Sequence, residues 1–408
     1  MALSGGDTAW LLVSSAMVML MTPGLAFFYG GMVRRKNVLS TMMMSFVLLG
    51  AVGILWVLFG YSLGFGPDLG GVIGKLDFIG LSGVGQEPSD VYAGTVPHLG
   101  FMVFQGMFAI ITVALWTGAV VDRIKFSSFL LLAVLWFTVV YCPVAHWVWG
   151  DGGWLNGKAL DFAGGAVVHI NAGMSAMALA ILLGPRKGFR EKVPMEPHNV
   201  PMVLLGAGLL WFGWFGFNAG SALAADGVAF SAFVATNLSA AAATVTWVAI
   251  DWWRHRPSAL GAATGAVAGL VAITPAAGFV DPLAAIPIGA AVSAICYYLM
   301  SRRVKWGVDE SLDVWAVHGM GGVWGGLATG IFATASVGGV DGLLWGGFSQ
   351  FGWQVVSVLA VGAFAFLATL ALGKLVDTTV GLRVTDDEEV VGLDISQHGE
   401  RAYGGISL

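Results

Sequence analysis

The sequence predicts an all-α polytopic membrane protein with eleven transmembrane helices. Three observations carry this expectation. The 408 residues are 57% hydrophobic and only 11% charged, where an ordinary soluble domain is about 25% charged. The charges gather in short clusters, separated by apolar runs of about 20 residues or more, the length that crosses a bilayer as a helix. The cationic clusters also recur in every second connection between those runs. This composition excludes a soluble enzyme, a nucleic-acid-binding protein and a disordered chain. Only two cysteines are present, Cys142 and Cys296, both inside apolar runs, which excludes a disulfide-rich secreted module. The net charge of −5 implies no partner. Residues 1–10 carry Asp7 and no Lys or Arg, so they do not read as a cleavable signal peptide.

The expected spans are 9–33, 38–64, 98–121, 126–149, 162–184, 200–225, 228–251, 258–277, 282–301, 313–333 and 345–378. Each reads as a helix, because backbone groups in hydrocarbon must be satisfied within the segment. The first contains Thr22-Pro23-Gly24, where a kink is expected. The last would measure about 50 Å and must tilt, bend or run past the membrane. Gly261, Gly265 and Gly269, and likewise Gly322 and Gly326, form small-residue ladders that read as close helix contacts. Asn237-Leu238-Ser239 matches a glycosylation motif but lies inside a span, so it carries no weight. The Gly-rich, acidic loop from Phe65 to Pro97 reads as a cap over the outer face. The chain thus divides into a transmembrane domain, 1–380, and a cytosolic tail, 381–408. Asp386, Asp387, Glu388, Glu389, Asp394 and Glu400 make that tail read as a solvated, mobile end.

Cationic loops stay cytosolic. With the N-terminus outside and the C-terminus inside, 17 of the 19 Lys and Arg residues fall on the inner side; the exceptions are Lys75 and Lys158. Adding or removing one span breaks that alternation.

The two halves share a motif. Val167-Val168-His169-Ile170-Asn171-Ala172-Gly173 in the fifth span is similar to Ala316-Val317-His318-Gly319-Met320-Gly321-Gly322 in the tenth. Five spans separate the copies, so they run in opposite directions, the signature of an inverted repeat with its site near the midplane. Ionisable side chains inside spans are costly and point to function. A single buried His is more often a packing residue on a carbonyl, but two in matched contexts favour function. Burial favours the uncharged imidazole, which offers one donor and one acceptor.

Asp161, just before the fifth span, reads as a helix cap and, compatibly, as an acid supporting a cation site. Phe104 and Phe108 share one helix face, as do Trp214, Phe217 and Ser221; Trp149 sits at the outer end of the fourth span. Aromatic faces attract cations and stacked rings can form a dry constriction, although ordinary helix packing is the commoner reason for any one of them. No phosphate-binding loop is present, so the chain is not an ATP-driven pump on its own.

Three strings carry a resemblance. They are Ala159-Leu160-Asp161-Phe162-Ala163-Gly164-Gly165 continuing to His169-Ile170-Asn171, Trp211 through Ser221 (WFGWFGFNAGS), and Asp309-Glu310-Ser311-Leu312-Asp313 continuing to His318-Gly319. Arg34-Arg35-Lys36-Asn37 and the tail strings Gly392-Leu393-Asp394 and His398-Gly399-Glu400 fit with them. Together they resemble the ammonium transporter (Amt/Mep/Rh) family, prokaryotic Amt branch, across essentially the whole chain.

That resemblance implies an inverted five-plus-five repeat with a long tilted last helix, homotrimers with one pore per subunit, and nitrogen uptake across the cell (inner or plasma) membrane. It implies no enzymatic activity, cofactor or metal. It implies an outer cation site at Phe104, Trp149 and Ser221, a gate of Phe108 and Phe217, pore histidines His169 and His318 beside Trp214, and Asp161 as supporting acid. Ammonium and methylammonium would be the substrates, and a P-II signal protein a partner on the cytosolic face. Two other readings compete: an ammonium sensor acting through a partner, and a membrane haem protein with the two histidines as axial ligands.

Overall fold

The computed structural model describes residues 2–404. The molecule is a helical bundle, and among the described residues nine helices are long and apolar enough to cross a membrane. They are α1 (Gly5–Met32), α2 (Arg35–Phe65), α3 (His98–Ala119), α4 (Phe126–Trp149), α5 (Gly165–Leu183), α6 (Val200–Ala222), α7 (Gly227–Arg254), α9 (Pro282–Lys305) and α11 (Phe348–Thr379). Two expected spans are occupied by shorter helices. α8 covers Ala259–Ile273, and α10 joins a turn at Trp315–Met320 to a helix at Gly321–Phe332. Helix α1 runs unbroken through Pro23.

Small residues let these helices approach closely. Helix α1 lies along α6, and a Cβ at Gly206 would stand 2.3 Å from the backbone nitrogen of Phe28. The Gly ladder of α8 packs on α7: a Cβ at Gly269 would meet the Ser239 carbonyl at 2.5 Å. Large apolar side chains such as Phe46, Ile54, Phe230 and Leu359 face outward, as a lipid-facing surface requires.

At one end, the loop between α2 and α3 folds into two small antiparallel hairpins. β1 (Asp68–Leu69) pairs with β2 (Ile73–Gly74), and β3 (Pro88–Ser89) with β4 (Ala93–Pro97). His146 anchors the first hairpin to α4: its Nδ1 is 3.0 Å from the Gly64 carbonyl and its Nε2 2.9 Å from Asp68 Oδ1.

At the other end the cationic loops converge on buried carboxylates. Asp122 accepts from Arg34 and Arg186 at 3.2 and 3.1 Å and from Asn37. Asp309 accepts from Arg186 at 2.8 Å, and Arg303 pairs with Asp313 at 2.6 Å. Glu310 is fully buried beside them; burial, opposed by Arg303 and reinforced by Asp313, pushes its carboxyl up to about 7.

The tail corrects an expectation. Up to Gly404 it is not a solvated, mobile end but is docked through two short helices, α12 (Asp386–Val391) and α13 (Leu393–His398); residues 405–408 lie outside the described residues. Glu389 accepts from Arg383 at 2.6 Å and from the Lys187 backbone at 2.7 Å. Asp394 accepts from Ser40 N at 2.8 Å, and Lys36 donates to the carbonyls of Glu389 and Val390. Two of the six acids that look solvated in the sequence, Glu389 and Asp394, are buried against backbone amides 202 and 354 positions away.

Candidate functional site

The site is built on two matching turns. Residues Gly165–Ile170 and Trp315–Met320 are both wound as π-helical turns, the first opening α5 and the second α10. Such widened turns often mark functional positions. Each carries one of the histidines. The helices cross at Gly173 and Gly319, where a Cβ on Gly173 would stand 2.0 Å from the Gly319 nitrogen. Glycine is required there, and its absence of a side chain brings the imidazoles together. His169 Nδ1 and His318 Nδ1 are 3.2 Å apart, with ring planes 29° from parallel. His169 Nε2 has no hydrogen-bond partner among the described residues. Nitrogens this close leave no room for a macrocycle between them, so the residues do not fit a bis-histidine haem.

Asp161 fixes the start of the first turn. Its carboxylate accepts four buried backbone N–H groups, those of Gly164, Gly165, Ala166 and Val167, at 2.5 to 3.1 Å. It is therefore a cap, and a far more elaborate one than a single bond. Its backbone carbonyl also accepts the Trp149 Nε1–H at 2.9 Å, which holds that indole at the edge of the outer cavity.

The aromatic residues form a stack above the histidines. Phe108 and Phe217 lie face to face with centroids 4.1 Å apart. Phe104 contacts Phe108 at 4.9 Å, and Trp149 meets Phe108 edge-on at 5.9 Å. Below, the Trp214 ring stacks on His169 at 5.4 Å, and its Nε1 donates to Thr274 Oγ1 at 2.8 Å. Ser221 donates its hydroxyl proton to the Phe217 carbonyl at 2.8 Å, so its oxygen lone pairs stay free.

Three cavities follow one another along these residues. The outer one, about 290 Å³, is lined by Phe104, Trp149, Asp161 and Ser221 among others. The middle one, only about 10 Å³, is bounded by Phe217, Trp214, His169 and His318. The inner one, about 370 Å³, begins at the same His318. The residues expected at the outer site, gate and pore (Phe104, Phe108, Trp149, Asp161, His169, Trp214, Phe217, Ser221 and His318) therefore lie together along one line of the bundle. Sequence reasoning missed Gln105, which lines the outer cavity with its Oε1 unpartnered, and Thr274. Gln105 follows Phe104 directly, and a polar side chain inside an apolar span was the available signal. Nothing in the sequence places Thr274 beside Trp214.

Fold and site together define a multi-pass membrane protein whose helical bundle holds a row of aromatic-lined cavities. The profile of the Ammonium Transporter Family matches residues 9–403, and the chain belongs to that family. It is 52% identical to "Ammonium transporter Amt1" of Archaeoglobus fulgidus, over 98% of this chain and 100% of that one. It is 51% identical to "Ammonium transporter" of Bacillus subtilis, over 98% of each. Among solved structures it is similar to Saccharomyces cerevisiae Mep2 (TM-score 0.89, 36% identity, 94% of this chain and 88% of that one). It is also similar to a "Sensor Amt Protein" (TM-score 0.89, 30% identity, 96% and 98%). It is a membrane transport protein rather than an enzyme.

Proposed function

We propose that the protein recruits ammonium at the outer aromatic cavity, strips one proton, and passes ammonia along the two histidines to the cytosol, while the proton is relayed through the same His169–His318 contact and released on the cytosolic side, so that one positive charge crosses per ammonium. The observation that carries this is the order of groups along one path. An aromatic vestibule with a hydroxyl comes first, then a closed Phe108–Phe217 stack, then His169 and His318 in hydrogen-bond contact.

Phe104 and Trp149 attract the cation through their ring faces, and Ser221 accepts a hydrogen bond from it. Potassium offers no N–H to Ser221. Asp161 lends negative charge while its oxygens are held by backbone amides. Beyond the vestibule, a bare ion costs several kcal/mol to desolvate even after relaxation, and the middle cavity holds no charge to offset that. Ammonia carries no such penalty. His169 Nε2 is free to bond a passing molecule, and the His169–His318 contact continues the chain of partners. Methylammonium would follow the same route.

In this reading the chain has eleven spans, the shorter α8 and α10 included, with the N-terminus outside and the C-terminus cytosolic in the plasma membrane. The paired π turns support an inverted five-plus-five repeat closed by the long helix α11. The protein acts as a homotrimer, with a transmembrane domain at 1–380 and a cytosolic tail at 381–408 that offers a surface to a P-II signal protein. A sensor role is the second reading, favoured by the docking of the tail on the cytosolic loops. Ammonium pulses on reconstituted liposomes separate the two: transport predicts substrate-dependent flux, and its absence from correctly folded protein would favour the sensor.

A further inference from the structure

We infer that Gln354 is a positioning residue for the outer site, acting on it through Leu160, Asp161 and Trp149. This rests on the outer-site reading given above.

Gln354 lies in α11 and is 2% exposed. A buried amide in a membrane helix is costly unless its groups are bonded, and here two of its bonds go to one residue, Leu160. Its Oε1 accepts the Leu160 N–H at 2.6 Å, and its Nε2 donates to the Leu160 carbonyl at 2.8 Å. The same Nε2 lies 3.1 Å from the Gly326 carbonyl in α10. One turn earlier, Gln350 Nε2 donates to the Lys158 carbonyl at 3.0 Å. The side-chain amide thus pairs with both backbone groups of Leu160 as a neighbouring strand would.

Plain helix–helix adhesion would need only the bond to Gly326. Gripping Leu160 from both sides fixes the orientation of the peptide that leads into Asp161. The Asp161 carbonyl in turn orients the Trp149 indole, and its carboxylate orients the turn carrying His169. Gln354 itself does not line the outer cavity, so any effect on substrate must travel through those residues.

The test is a double-mutant cycle in proteoliposomes, reading ammonium KM and maximal current for wild type, Gln354→Met, Trp149→Leu and the double variant. Gln354→Met should raise KM about two- to tenfold, the range that loss of one neutral hydrogen bond spans, with maximal current little changed. In the Trp149→Leu background the same substitution should raise KM by clearly less, because the part carried by the indole is already gone. An equal rise in both backgrounds overturns the inference, since the effect then bypasses Trp149. No rise in the wild-type background overturns it while leaving the outer site intact, provided Trp149→Leu alone raises KM. If Trp149→Leu leaves KM unaltered, the outer-site reading itself fails. Should the Met variant not insert, Gln354→Asn carries the same prediction, because its amide is one methylene short of Leu160.

Discussion

Replacing Gly173 by alanine tests how closely transport depends on the spacing of the two histidines. The added Cβ would stand 2.0 Å from the Gly319 nitrogen and 2.2 Å from its Cα. Ordinary contact begins near 3.4 Å, so the α5 and α10 backbones must part by about 1.4 Å at this point, a forced shift of the kind overpacking produces. His169 lies one turn from Gly173, and His318 is next to Gly319. If the rings follow, the 3.2 Å contact between their Nδ1 atoms opens to about 4.6 Å, beyond hydrogen-bond reach. Overpacking of this kind costs about 1–3 kcal/mol, which a bundle of this size should survive. The expected result is a variant that inserts and purifies normally but carries little ammonium current in proteoliposomes. Gly50→Ala is the control, since a Cβ there meets nothing within 4 Å, and it should behave as wild type. Wild-type current from Gly173→Ala, with the substitution verified, would refute the claim that histidine contact governs passage.

Other consequences follow from the same geometry. Asp161→Ala strands four buried amides at about 1–3 kcal/mol each, well above the ~1 kcal/mol of a simple cap; it should lose transport and yield together. Asp161→Asn keeps one carbonyl acceptor and should insert with reduced flux, and full transport by the Ala variant would show that the acid has no role in passage. Glu310 has a folded-state value near 7 against its usual 4.5, so the protonated form favours the fold. Its contribution to stability is therefore full below the usual carboxylate range and is lost as pH rises through about 7. Melting curves from pH 5 to 8 should show that decline in wild type and a flatter profile in Glu310→Gln; equal slopes would refute it. Finally, an impermeant amine reagent on intact cells should label Lys75 and Lys158 but not Lys187 or Lys192, and labelling of the latter pair would invert the topology.

Much of this was legible in the sequence because bilayer physics writes it there. The apolar runs, the cationic loops and the two histidines each obey a rule that acts on neighbouring residues. Phe108 and Phe217 were singled out on separate helices, and the structure stacks them. What the sequence concealed depends on residues far apart. The π turns at Gly165–Ile170 and Trp315–Met320 leave no compositional mark. The acidic tail looks solvated until Lys36, Ser40 and Lys187 are folded against Glu389 and Asp394. Gln354 looks like a stray polar residue in a long apolar helix until Leu160 arrives beside it. The span at 258–277 was expected at full length, but α8 ends at Ile273, where Thr274 and Pro275 turn the chain beneath Phe162.

The central claim is that the passage admits ammonia and excludes a bare cation because its histidines supply hydrogen bonds without fixed charge. The most direct test is ion-specific current in proteoliposomes, comparing potassium with ammonium for wild type, His169→Asp and His318→Glu. Wild type should respond to ammonium and methylammonium and show no potassium current. At least one acidic variant should leak potassium, because the new carboxylate offsets part of the ion's desolvation cost. Potassium current through the wild type would contradict deprotonation at the gate. Full ammonium selectivity in both variants would contradict the placement of the histidines in the conducting path.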